Sequence, residues 1–208
     1  MVAASGKLRR AEQNRARDTR TLILDAAVQC LNRYGYAGTT TLLIQQCAGV
    51  SRGRMLHHFP SRTDLLAAAS RHLVDVRAKE MVKQLAEYTG EKGSGRERVE
   101  HAVELTWSTF HHPYFWAAME LWLAARIDAE LRAVLTPHEY QLGATIRATL
   151  DQFFGPEYSA HPRYRMLCEL LFTSMRGVTL THALTEQDPA TDRHLWQWKE
   201  VAVTLLDA

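Results

Sequence analysis

An all-α fold is predicted by three observations on the 208-residue chain. Helical periodicity recurs along almost its whole length, no stretch shows the period-2 alternation of β-branched residues, and Gly or Pro falls where each apolar stripe ends. The order of elements gives an N-terminal three-helix unit joined by a long helix to a larger helical domain, about nine helices in all.

A first helix is expected from about Arg17 to Tyr34, with Leu24, Ala27, Val28 and Leu31 on one stripe and Gly35 as its stop. The second opens at Thr40, a good N-cap, and buries Leu43, Ile44 and Cys47 before Gly49 ends it. Ser51 caps a third. Ser61 with Asp64 three residues on is a capping-box pattern that starts a long helix over about 62–88. The run 89–95, Thr-Gly-Glu-Lys-Gly-Ser-Gly, is the one clear linker. Further helices are expected near 96–111, 113–126, 129–154, 162–185 and 190–206. Pro137 should kink the third of these or open a new helix capped by Thr136.

Charge divides the chain. Residues 1–82 hold 13 Lys and Arg against 6 Asp and Glu, whereas 83–208 hold 12 against 17, so the net +2 conceals a basic first part. Such a part suits a polyanionic partner. No apolar run approaches the roughly 18 residues of a membrane span. The first twenty residues are basic but lack a following apolar core, unlike a secretory signal. A cytoplasmic protein without a membrane partner is expected. Cys30, Cys47 and Cys168 are odd in number and widely spaced, which points to reduced thiols packed as small hydrophobes. No His or Cys pair has zinc spacing, and no nucleophile elbow, phosphate-binding Gly loop or HExxH occurs. Neither a metal, nor a cofactor, nor catalysis is expected.

Chemistry concentrates in the third helix. With Ser51 as N-cap, Met55 and Phe59 share the inward face at about 100° per residue, while Gly53, Arg54 and His57 point outward beside Leu56 and His58. Arg52 and Arg54 stand in the first turn, where the helix dipole disfavours cations by about 0.3–1 kcal/mol. Gly53 costs nearly 1 kcal/mol against Ala in a helix interior. No acid occurs from Ser51 to Arg62. These local costs are sensible if a polyanion lies on this face. Two short helices about a Gly turn are the sequence form of a helix-turn-helix, whose second helix enters the DNA major groove. Arg54 is the candidate for a guanine edge; Thr40, Thr41, Ser51, Arg52, His57, His58 and Arg62 are candidates around it, mostly for phosphates.

The run Arg20, Ile23-Leu24-Asp25-Ala26-Ala27, Gly35-Tyr36, Thr39-Thr40, Ile44, Ala48-Gly49-Val50-Ser51-Arg52-Gly53, His57-His58-Phe59-Pro60-Ser61-Arg62 and Leu65-Leu66 resembles the DNA-binding domain of TetR-family transcriptional regulators. The resemblance covers about residues 17–66. It implies a homodimer on a palindromic operator, with a diverged helical domain whose small-molecule effector releases repression. By position, it makes Thr40 a cap that touches phosphate, Arg52, His57 and Arg62 backbone contacts, and Gly53 the close-approach residue. Arg54 stands where the family commonly has Thr or Ala, Leu56 where Tyr often donates to phosphate, and Gln45 where Ala is usual. The expected division is a flexible basic arm over 1–16, the DNA-binding domain over 17–66, and a ligand-binding and dimerisation domain over 67–208.

All five Trp lie after the linker. Aromatic residues and Met with a few polar groups suit a pocket for an apolar or aromatic molecule, and Trp107, Phe110, His111, Trp116, Met119, Glu120 and Trp122 are its candidates. Plain core packing is the competing account of each. The helices near 162–185 and 190–206 resemble the two terminal helices that pair across the family's dimer in a four-helix bundle, which makes Met166, Leu170, Ser174 and Val178, with Leu195, Trp198 and Ala202, the expected dimer face. Ligand in the aromatic pocket would tilt the 62–88 helix and alter the separation of two reading heads. The rival accounts are a DNA-binding regulator without a small-molecule ligand, and a helical enzyme acting on an apolar substrate.

Overall fold

The computed structural model describes residues 2–88, 95–185 and 188–208, of which 2–15, 77 and 84–88 are described in backbone only. Nine α-helices occur among them: α1 Val2–Gly38, α2 Thr41–Ala48, α3 Arg52–His58, α4 Arg62–Tyr88, α5 Arg96–Ser108, α6 Pro113–Ala125, α7 Ala129–Ser159, α8 Tyr164–Thr181 and α9 Arg193–Leu206. No strand occurs among the described residues. None of the described helices is long and apolar enough to cross a membrane. The linker at 89–95 lies, apart from Gly95, outside the described residues.

The chain divides into two compact units, one of residues up to Asp75 with Trp116–Glu139, the other of Val76–Phe115 with Tyr140–Ala208. The first is therefore larger than the 17–66 domain expected from the sequence. Its core joins Ile23, Ala27 and Leu31 of α1, Ile44 of α2, Met55 of α3 and Leu65, Leu66 and Ala69 of α4, all buried. The helical backbone of α1 continues to Val2, through the segment expected as a flexible arm.

Gly35 breaks α1 as expected, at φ 65 and ψ 179, a backbone that a side chain would strain. The amide beyond the break is satisfied from far along the chain: Tyr36 N–H donates to Glu120 Oε2 at 2.7 Å. Thr39, fully buried, donates its hydroxyl to Gly35 O at 2.7 Å.

In the second unit the buried cluster includes Val99, Val103 and Trp107 of α5, Phe153 and Phe154 of α7, Leu167 and Leu171 of α8, and Trp198 and Ala202 of α9. The break in α7 falls at Gly155, φ 80, where Arg98 Nε donates to Phe154 O at 2.9 Å. Pro137, by contrast, neither breaks α7 nor opens a helix; the non-helical backbone lies at Gly155 alone. The turns before Pro137 are held by buried Leu131 and Leu135, and Thr136 donates its hydroxyl back to Arg132 O at 2.8 Å instead of capping. Packing on those turns outweighs the local preference, as tertiary context does with weak propensities.

Candidate nucleic-acid interface and effector domain

The turn between α2 and α3 is fixed by caps at every end. Leu43 N–H donates to Thr40 Oγ1 at 3.1 Å, and Gly49 closes α2 in the left-handed conformation at φ 63. Arg54 N–H donates to Ser51 Oγ at 3.3 Å at the start of α3. Each hydroxyl accepts from its own helix and retains its O–H to donate outward. The first half of the capping box is present, with Asp64 N–H donating to Ser61 Oγ at 3.0 Å; the Asp64 carboxylate accepts from the Ser61 hydroxyl at 2.8 Å.

The helical period sorts α3 as expected. Met55 and Phe59 are buried, and the Arg20 guanidinium lies 5.1 Å from the Phe59 ring centroid. Ser51, Arg52, Gly53, Arg54, Leu56 and His57 are exposed, as is Thr40; Thr41 and His58 are partly covered. A Cβ at Gly53 would meet nothing within 4 Å. Among the described residues, then, no contact requires glycine here. His58 is held below its ordinary value by burial, then by the neighbouring His57, Arg20 and Arg54 charges.

Arg62 requires a correction. Its Nη2 donates to Tyr36 O at 2.7 Å and its Nε to Thr39 O at 3.2 Å, with the guanidinium 4.2 Å from the Tyr36 ring centroid. The side chain ties α4 to the end of α1 with two of its N–H groups, a structural role beyond the expected phosphate contact. Cys47, expected inside, is exposed on α2, while Cys30 is buried. Ile44 alone of the α2 residues is fully covered, because a helix of 8 residues offers α1 only a narrow face.

The residues expected to line a ligand pocket divide between the units: Trp107, Phe110 and His111 belong to the second, and Trp116, Met119, Glu120 and Trp122 to the first. Glu120 is corrected outright, since its carboxylate holds the Tyr36 amide. Trp107 and Phe110 are buried in the second unit's core, and Met119 is buried in the first.

Around Trp107 the second unit builds a polar cluster that the sequence did not suggest. Trp107 Nε1–H donates to Pro189 O at 2.9 Å, and its ring meets His111 edge-on at 4.1 Å between centroids. His111 stacks with His182 at 6.2 Å. Asp192, the N-cap of α9, accepts from His194 N–H at 2.8 Å, and its oxygens lie 2.8 Å from His182 Nε2 and 2.7 Å from His194 Nδ1. Burial would raise the Asp192 carboxyl, but the His194 and His182 hydrogen bonds hold it below its ordinary value. A cavity of about 630 Å³ opens beside this cluster, lined in part by Thr181, His182, Asp188 and Asp192. No group of three or more His, Cys, Asp or Glu side chains arranged so that it could hold a metal ion occurs among the described residues.

On the outer side of α8, Met166 and Leu170 are exposed as expected, whereas Ser174 and Val178, and Leu195 on α9, are partly covered. Trp198 and Ala202 are corrected: both are core residues of their own chain, because α9 packs that stripe against α5. The apolar residues that α9 exposes are Trp196 and Val201 instead, and α8 adds Leu180.

A basic, acid-free helix seated by a left-handed Gly turn on a three-helix core has the form of a helix-turn-helix. Residues 23–69 match the model of the bacterial regulatory proteins, tetR family. That match covers the helix-turn-helix head, from within α1 to the first turns of α4. It is 29% identical over 137 residues to the HTH-type transcriptional repressor AcnR of Corynebacterium efficiens, covering 64% of each chain. It is 32% identical over 124 residues to the HTH-type transcriptional regulator CymR of Pseudomonas putida, covering 60% of this chain and 59% of that one. Both matches span less than two thirds of the relative's own length. The crystal structure of the multidrug binding protein EbrR complexed with imidazole superposes with a TM-score of 0.59 at 22% identity, over 89% of this chain and 93% of that one.

Proposed function

We infer that this chain is a cytoplasmic, homodimeric transcriptional repressor that reads a palindromic operator through α3 and leaves it when a small molecule binds. The observation that carries the DNA half is the exposed face of Arg52, Gly53, Arg54 and His57, free of acid and with a glycine that no internal contact requires. Arg54 is the base reader, and Arg52, His57 and the Thr40 and Ser51 hydroxyls hold phosphates. One short helix covers few base pairs, so two heads a helical turn apart supply affinity and symmetry. The exposed apolar residues of α8 and α9 support a dimer face made of Met166, Leu170, Leu180, Trp196 and Val201.

The ligand half rests on the second unit. His111 Nε2 is buried without a hydrogen-bond partner among the described residues, next to His182 and the cavity beside it. A buried, unsatisfied nitrogen amid aromatic rings is what a small ligand with a polar group would satisfy. That AcnR is named a repressor and EbrR is described with imidazole bound agrees with this reading. Selection of bound DNA from a random pool tests the central claim: an enriched palindrome is expected, and absence of enrichment overturns it. Titration of compounds that quench Trp fluorescence then tests release, expected as weaker binding to the selected DNA.

A further inference from the structure

Within the DNA-binding head, Cys30 Sγ of α1 and Cys47 Sγ of α2 lie 3.6 Å apart, 17 residues distant in sequence. Cys30 is buried and Cys47 exposed, so one sulfur is open to solvent while the other waits directly behind it. We propose that this pair is an oxidisable site that forms a disulfide with a peroxide-class oxidant, and that the bond weakens the head's grip on DNA. The second clause rests on the DNA-binding reading above; the first does not.

The order of events follows from the geometry. Burial first, then the hydrogen bond to Cys47 and the charge there, push the Cys30 thiol up to about 12, and Cys47 is the exposed residue that an oxidant meets first. The Cys47 thiolate attacks one peroxide oxygen; the O–O bond breaks, hydroxide leaves and a sulfenic acid remains on Cys47. Cys30 sulfur then attacks Cys47 sulfur, the S–O bond breaks, and the Cys30 proton leaves with the hydroxyl as water. In sum two thiols and one hydrogen peroxide give one disulfide and two waters. Reduction by a dithiol reverses the change.

Closing the gap from 3.6 Å to the roughly 2 Å of an S–S bond draws the last turn of α2 toward α1. Gly49 and Val50 alone separate α2 from the Ser51 cap of α3, so this shift reaches the reading helix directly. Thr40 at one end of α2 and Arg54 on α3 must meet the same duplex in fixed register, and displacing α2 spoils that register.

The test uses the full chain, reduced and then treated with hydrogen peroxide, digested without reduction and analysed by mass spectrometry. A peptide containing Cys30 linked to one containing Cys47 within a monomer is expected, with Cys168 still a thiol. A Cys47 sulfinic acid without a link, a link between two copies, or a link to Cys168 overturns the site. Cys47→Ser and Cys30→Ala should each abolish the link, their folding being checked by thermal melting. Affinity for the selected DNA should fall about tenfold on oxidation, recover with dithiothreitol, and stay constant in Cys47→Ser. A linked protein that binds DNA unchanged overturns the coupling but leaves the site. Failure of the reduced protein to select any DNA instead counts against the DNA-binding reading, while the link is judged independently.

Discussion

Glu120 of α6 satisfies the Tyr36 amide, 84 residues earlier in the chain, at 2.7 Å. Its Oε2 also lies 2.9 Å from where a Cβ on Gly35 would be, so glycine is required twice over: by φ 65 and by the carboxylate seated against it. The end of α1 is thereby closed by a residue outside the three-helix segment. Glu120→Ala should lower the stability of the chain by about 1–3 kcal/mol by orphaning that amide. Gly35→Ala should do the same through backbone strain. Equilibrium urea unfolding measures both, and an unchanged midpoint in Glu120→Ala would remove the carboxylate from this role.

Arg62 and Arg52 are both basic residues of the head, and the structure separates their roles. Arg62→Ala removes two donors to main-chain carbonyls and should shift the melting temperature by several degrees, about 1–3 kcal/mol in stability. Arg52→Ala should leave melting unchanged and reduce the slope of DNA affinity against salt by about one phosphate contact. Melting curves and salt titrations of the two variants decide it.

Arg54 is exposed on the outer face of α3. Arg54→Ala should leave stability within about 0.5 kcal/mol. It should weaken binding by about 1–3 kcal/mol and relax preference at one operator position. Repeating the DNA selection with the variant checks the second part; an unchanged preferred site would assign base reading elsewhere.

His58 sits below its ordinary value because burial, then the His57, Arg20 and Arg54 charges, disfavour its cation. Phosphates brought close by binding favour that cation, so the bound value exceeds the free one. Binding therefore takes up a proton, and DNA affinity should rise as pH falls through the ordinary 6.5 toward the lower free-state value, by up to about tenfold per pH unit for one proton. His58→Gln should flatten the profile.

In the second unit two groups lose stabilising power in acid. His111 is held below its ordinary 6.5 by burial, then by the His182 charge, so its contribution is full above pH 6.5 and declines as pH falls toward the folded value. Asp192 is below its ordinary 3.8, so its contribution is full above that value and is lost as pH falls further. Unfolding free energy should thus begin to fall below pH 6.5, and His111→Phe should remove that first decline. A flat profile between pH 7 and 5 in the parent chain would contradict it.

The reading helix was legible because its information is local: the period of 3.6 residues put Met55 and Phe59 inside, and Ser51, Gly49 and Ser61 are caps whose chemistry acts within four residues. What escaped was set by distance along the chain. Arg62 looked like one more cation on a basic surface because its partners, Tyr36 and Thr39, lie 26 and 23 residues back. Glu120 fell inside an aromatic run that pointed to a pocket, and nothing in that run refers to Gly35. Trp198 and Ala202 were placed on the wrong side of α9 because an apolar stripe reveals that a face is covered, not which helix covers it. Pro137 was overruled by Leu131 and Leu135, whose burial no propensity contains.

Gly53 has a consequence for how this protein tolerates change. Its Cβ direction opens onto empty space, so many side chains could stand there with the fold intact or improved, since any of them is a better helix former. Duplex DNA brought to within backbone reach would exclude those same side chains. A library of substitutions at this single position, sorted once by cellular abundance and once by operator occupancy, should therefore rank in opposite orders.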